Sequence, residues 1–200
     1  MIYASDDIIQ SYVETLACLL SYGNQQRFSP SFVERSIAYS QPFSELENGN
    51  SRMLAFSSSR QICLEVFFAS SPTFKGDEIY TDFGWIAETY IHLFLQHRPM
   101  TFEFLFLAFP LSEMVEKYPL FHEMDHSQIE EEYRNRIQYS KLDVILKRLN
   151  ISTSRLAQDT GISMYTIRSL RYGYRQMGKT EAETVIKIAS YLGIKPLSLL

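Results

Sequence analysis

The chain has 200 residues, 46% hydrophobic and 14% aromatic, which supplies enough apolar side chain for one large or two small packed domains. Two cysteines exclude a disulfide framework or a cysteine-rich zinc site, and a net charge of −4 taken alone argues against nucleic acid. That average conceals a division. Residues 141–200 hold ten Lys/Arg against four Asp/Glu, or +6, and residues 1–140 hold nine against nineteen, or −10. A basic module beside an acidic one is the distribution expected of a DNA reader joined to a regulatory or assembly domain.

Helical spacing dominates from the N-terminus onward. Ile8, Ile9, Tyr12, Val13, Leu16, Leu19 and Leu20 recur at intervals of three and four, with Gly23 and Asn24 expected to close that helix. Ser29 before Pro30 predicts an N-cap with proline at the first helical position, and Pro42 restarts a short helix. Ser58 or Ser59 is placed to cap a helix bearing Ile62, Cys63, Val66 and Phe67, with a buried strand over residues 62–68 as the alternative. Asp82 is expected to cap a longer helix carrying Trp85, Ile86, Tyr90, Leu93 and Phe94, ended before Pro99. Thr101 caps another, stopped at Pro110, and residues 111–117 and 128–136 follow as two more. Polar stretches at 45–52 and 70–77 read as loops. Strand alternation is nearly absent, so residues 1–138 are expected to form an all-α regulatory or interaction domain. The boundary falls near 136–140, within a charged run that predicts a helical, semi-rigid linker.

Residues 139–200 read as a separate five-helix module. The first helix, 141–149, carries Leu142, Ile145, Leu146 and Leu149 on one face. Ser152 or Thr153 caps a second, in which Leu156 and Ala157 point inward, and Gly161 supplies the left-handed residue that turns the chain. Ser163 caps the third, whose Ile167 and Leu170 face the core while Tyr165, Arg168, Ser169 and Tyr172 face outward. Thr180 with Glu183 predicts a capping box for the fourth, packed through Val185, Ile186, Ile188 and Ala189. Gly193 ends it, and Pro196 opens a last turn. Two short helices meeting at a glycine, the second free to enter a major groove, is how a helix-turn-helix is written.

The pattern Leu156-Ala157-x-x-Thr160-Gly161-Ile162-Ser163-x-x-Thr166-Ile167-x-x-Leu170, with Glu183-Thr184-x-x-Lys187-Ile188-Ala189-x-x-Leu192-Gly193-Ile194, resembles the Cro/phage-repressor (XRE) helix-turn-helix family over about residues 141–200. The resemblance implies a Cro/repressor-like fold and double-stranded DNA as partner. It implies base contacts from Met164, Tyr165, Arg168 and Ser169, and a phosphate contact from Thr153. Arg171, Tyr172, Arg175 and Lys179, beside the recognition helix, are expected to meet phosphates as well. Two departures stand out: Arg171-Tyr172-Gly173 replaces the usual Glu-Asn-Gly, and the loop over residues 174–179 is about two residues longer than common. Met164 and Tyr165 lack a bidentate donor set, which leaves Arg168 and DNA shape to carry specificity.

Residues 83–90 and 118–125 resemble, more loosely, small helical bacterial proteins of unassigned function from toxin–antitoxin-like gene neighbourhoods; that implies an interaction or sensing role over about residues 25–135. Catalytic constellations are poor. His122, Glu123, Asp125 and His126 fall at a helix end, where Asp125 is better placed as a cap than as a metal ligand, and His92 and His97 are expected on different faces. No glycine-rich phosphate loop exists, so neither enzyme activity nor a metal or other cofactor is expected. The aromatic stripe from Trp85 to Phe109 reads as core. Asp6 and Asp7 do not suit a signal peptide, and the apolar run 101–111 is too short to span a bilayer, so a cytoplasmic protein without membrane contact is expected. The expected function is a sequence-specific DNA-binding transcriptional regulator acting as a homodimer. The alternative is an antitoxin-like interaction module, with a cognate protein partner and autoregulatory DNA binding.

Overall fold

Side-chain caps open most of the helices. Ser29 Oγ accepts from Phe32 N at 3.3 Å, Ser58 Oγ from Gln61 N at 3.3 Å, and Thr101 Oγ1 from Phe104 N at 3.1 Å. Asp125 and Gln128 form a reciprocal capping box. The computed structural model describes residues 6–50, 57–67 and 81–200. In order they form α1 (Asp6–Gln25), α2 (Pro30–Ala38), α3 (Gln41–Glu47), α4 (Ser59–Phe67), α5 (Thr81–Gln96), α6 (Phe102–Ala108), α7 (Leu111–Phe121) and α8 (His126–Arg136). Then follow α9 (Lys141–Arg148), α10 (Thr153–Thr160), α11 (Met164–Arg171), a 3-10 turn (Met177–Lys179), α12 (Ala182–Leu192) and a final 3-10 turn (Pro196–Leu199). Among the described residues there is no strand, and the strand alternative at residues 62–67 gives way to α4. No described helix is long and apolar enough to cross a membrane.

Several expected boundaries move, each for a physical reason. Gly23 does not close α1 but lies buried inside it, where a Cβ would come within 2.6 Å of Val33 Cγ2; the glycine lets α1 and α2 approach. Asp82 is a helical residue of α5, which already begins at Thr81. α7 runs past Lys117 to Phe121 with Pro119 on its exposed side, where water can take the place of the N–H that the proline lacks. The expected loop at 45–52 begins with residues 45–47 still in α3, and the one at 70–77 lies outside the described residues. α8 stops at Arg136, so the chain enters the C-terminal module through a short non-helical link and not through a helix.

The N-terminal core forms where α1 lies along α5, burying Leu16, Leu20, Ile86, Tyr90 and Phe94. Tyr90 is wholly enclosed and its hydroxyl donates to Phe109 O at 2.6 Å, as a buried phenol requires. α8 is clasped to α5 through Glu130, whose two oxygens lie 3.1 Å from His92 Nε2 and 2.6 Å from His97 Nε2. The two histidines expected on different faces thus flank a single carboxylate. The His126 ring stacks on His92 at 4.3 Å, and burial, followed by the neighbouring His126, lowers the His92 pKa.

Candidate nucleic-acid interface

The turn between α10 and α11 is built from local hydrogen bonds. Ser152 Oγ caps α10 by accepting from Arg155 N at 3.1 Å, which leaves Thr153 at the first helical position. Thr160 Oγ1 donates to Leu156 O at 2.6 Å, Gly161 takes φ 70°, and Ser163 Oγ accepts from Thr166 N at 3.1 Å to start α11. A Cβ on Gly161 would meet nothing within 4 Å, so the backbone angle and not crowding calls for glycine there. Leu156, Ile167 and Leu170 are buried, which fixes α11 against α10 and turns its opposite side outward.

On that outward side Tyr165 is 81% exposed and Arg168 is exposed, with Met164 and Ser169 half-buried on the same helix. Past the helix, Tyr172, Tyr174, Arg175 and Lys179 are all exposed. Arg175 N donates to Ser169 O at 3.0 Å, folding the longer loop back onto α11. Among the described residues Arg168, Arg175 and Lys179 enter no ion pair, and their charges face solvent.

Arg171 is placed differently from the free cation that was expected. Its Nε donates to Asp143 Oδ1 at 2.7 Å and its Nη1 to Thr153 Oγ1 at 2.7 Å. Asp143 is buried, and its other oxygen faces Lys147 Nζ at 2.7 Å. Arg171 therefore ties α11 to α9 and to the start of α10. Asp143 pairs with a cation 28 residues away, which leaves no local signal in the sequence.

The link from α8 touches the end of the outward-facing helix. Ser140 Oγ caps α9 and also donates to Arg171 O at 2.7 Å. Tyr139 packs edge-on against Tyr172, and a Cβ on Gly173 would come within 2.9 Å of Tyr139 O. Gly173 takes φ 74°, so the substitution of Glu-Asn-Gly by Arg-Tyr-Gly keeps the residue that both the turn and this contact demand. The predicted Thr180–Glu183 box does not form. Thr180 Oγ1 donates back to Gln176 O at 3.1 Å, Glu181 precedes α12 without a side-chain cap, and Glu183 pairs with Lys187 at 2.6 Å. Ile186 is 54% exposed and not inward, because Val185, Ile188, Ala189 and Leu192 already complete the apolar stripe of α12.

The module is held to the rest of the chain on its other side. Glu103, in α6, accepts from Lys195 N at 2.7 Å, from Ser198 Oγ at 2.5 Å and from the Tyr39 hydroxyl. Thr101 Oγ1 lies 2.7 Å from Ser198 Oγ, both wholly buried. Lys195 Nζ pairs with Glu47 at 2.9 Å, and Lys141 Nζ donates to Pro99 O at 2.7 Å. Glu103 was visible in the sequence only as an interruption of an apolar run; a carboxylate embedded among phenylalanines was the available sign of a buried partner. The histidine and acid group near residue 122 divides into local roles: His122 Nδ1 donates to Tyr118 O at 2.8 Å, and Asp125 caps α8. Among the described residues no group of three or more His, Cys, Asp or Glu is placed to hold a metal ion.

Compared with known families, residues 141–200 match the Cro/C1-type HTH DNA-binding domain. No curated protein and no solved structure matches the chain. The looser resemblance expected over residues 25–135 therefore gains no support.

Proposed function

We propose, from the premise that residues 141–200 are a Cro/C1-type HTH DNA-binding domain, that the protein is a sequence-specific transcriptional regulator binding double-stranded DNA as a homodimer. The observation that carries this reading is the outward side of α11, where Tyr165 and Arg168 are exposed, followed past the helix by exposed Arg175 and Lys179, the three cations being without ion pairs among the described residues. Solvated cations on and beside an exposed helix face suit a phosphate backbone in charge.

In this reading Met164, Tyr165, Arg168 and Ser169 meet base edges, and Thr153, Tyr172, Arg175 and Lys179 meet phosphates. Arg168 is the side chain on that face able to bond a guanine bidentately. Arg171 acts chiefly on the fold, through Asp143 and Thr153, and contacts phosphate only with what its guanidinium has left over. One recognition helix in one groove gives modest affinity, which is the argument for two-fold pairing through residues 1–138, with recognition helices about 34 Å apart or a multiple of it. Selection from random duplexes followed by footprinting tests the reading: a two-fold symmetric protected site is expected, with sedimentation of the complex at two chains per duplex. Failure to enrich any sequence over bulk DNA, or a concentration-independent monomer on and off DNA, overturns it.

A further inference from the structure

A cleft of about 470 Å³ opens between the N-terminal helices and the DNA-binding domain. α2 and α6 form one side, and residues 148–149 and 192–194 form the other. Its volume lies in the range of about 300–1,000 Å³ typical of small-molecule sites. The apolar part is supplied by both sides, by Phe106 and Leu107 from α6 and by Leu149 and Ile194 from the DNA-binding domain. Leu149 is 38% exposed and faces this cleft.

The polar part is unbalanced in its free groups. Arg35 enters from α2 and Arg148 from the end of α9, both exposed and neither in an ion pair among the described residues. Arg35 lies over the Tyr39 ring at 5.8 Å, a contact that leaves its N–H groups available. The two acids on the same walls are occupied. Glu103 takes the three donors described above, and Glu34 accepts from Leu111 N at 2.5 Å. Burial raises the Glu34 pKa, opposed by the Leu111 N–H and by the charge of Arg148.

We infer that this cleft binds a small organic oxyanion with an apolar body, its charged group held between Arg35 and Arg148 and its body laid on Leu107, Leu149 and Ile194. Two guanidiniums presented from opposite walls suit one carboxylate, sulfonate or phosphate, because each offers a planar fork of donors. The occupant touches both parts of the chain at once, so its binding energy depends on how they are docked, and it acts as an effector of that arrangement. The effector role rests on the DNA-binding reading above; the site itself does not.

The test uses the full chain and 8-anilino-1-naphthalenesulfonate, an aryl sulfonate that fluoresces when bound, beside the uncharged N-phenyl-1-naphthylamine. One sulfonate per chain is expected. Its affinity falls at least about tenfold in the R35Q/R148Q double variant, while the uncharged probe binds both proteins equally. A second variant, L149E, leaves both arginines in place and is expected to lose the sulfonate by setting a like charge in the cleft. Equal sulfonate affinity in the native chain and R35Q/R148Q, or retention of binding in L149E, overturns the site. For the effector role, saturating sulfonate is expected to change the affinity for the selected duplex, and the duplex to change sulfonate affinity by the same factor. Sulfonate binding without any effect on DNA affinity removes the effector role. A protein that binds the sulfonate but no duplex instead overturns the DNA-binding reading and leaves the site standing.

Discussion

Three arginines close together in sequence carry different work, and the difference is set by what each touches. Arg168 is solvated and unpaired, so Arg168→Ala is expected to cost about 1–3 kcal/mol on a selected site and relax preference at one base pair per half-site, at unchanged melting temperature. Arg175→Ala is expected to weaken binding to all sequences and reduce the salt slope by about 1, read by titrations across salt concentrations. Arg171→Ala leaves Asp143 buried beside only an exposed lysine, so its main effect is on stability. Loss of one partner from a buried pair costs about 3–5 kcal/mol, with the lower end expected here because Lys147 remains; denaturant unfolding measures it. Lys141 gives a pH signature. Burial lowers its ammonium to about 8. Between there and the ordinary value of about 10.5, the folded chain has lost this proton and the unfolded chain still holds it, so this group adds stability as pH rises. The stability of the native protein is therefore expected to rise relative to that of Lys141→Met from pH 8 to pH 10, and an unchanged native-minus-variant difference refutes it.

At the scale of elements, packing overruled local propensity where the sequence gave conflicting signs. Gly23 looked like a helix stop because glycine costs about 1 kcal/mol in a helix interior relative to alanine. The structure keeps it helical since Val33 occupies the space a Cβ would take. Gly23→Ala is accordingly expected to destabilise the protein by about 1–3 kcal/mol despite improved helix propensity, and Val33→Ala added to it is expected to recover part of the loss. The caps at Ser29, Thr101, Asp125 and Ser163 were legible because an N-cap is a local device, complete within four residues. The outward side of α11 was legible for a similar reason, since periodicity alone separates buried Ile167 and Leu170 from exposed Tyr165 and Arg168. Thr180 with Glu183 had the same appearance and failed, because the 3-10 turn before α12 draws the threonine hydroxyl back to Gln176. Ile186 failed too: a 3.6-residue stripe tolerates an apolar neighbour at its edge without burying it.

The whole molecule is where the sequence was least readable, because most contacts of its junction join residues about ninety to a hundred and fifty positions apart. The charge division between the two parts was visible, and the polar contacts that join them were not. Thr101, Glu103 and Ser198 are scattered single residues until α6 and the last turn meet. That junction makes a mechanical prediction. Glu103→Ala removes the acceptor shared by the Lys195 N–H and the Ser198 and Tyr39 hydroxyls; Ser198 keeps Thr101 and the exposed Tyr39 keeps Gly193 O, so the cost falls chiefly on the Lys195 N–H, at about 1–3 kcal/mol. Native protein is expected to unfold in one transition, with Trp85 fluorescence and helical circular dichroism coinciding. In Glu103→Ala the two signals are expected to separate as the C-terminal domain comes loose; coincident signals in the variant would show that apolar contact alone couples the parts.

Glu130 between its two histidines has a consequence for where protons reside. A carboxylate offers only lone pairs, so each imidazole nitrogen facing it must bear hydrogen, which fixes both His92 and His97 as Nε2–H tautomers whenever they are neutral. Gain or loss of a proton by His92 then takes place at its Nδ1, and its bond to Glu130 persists through that titration. Acidification adds charge to a clasp that is already closed. Nitrogen-15 shifts are expected to show a protonated Nε2 in both rings while Glu130 is ionised, with Nδ1 of His92 moving as it gains its proton.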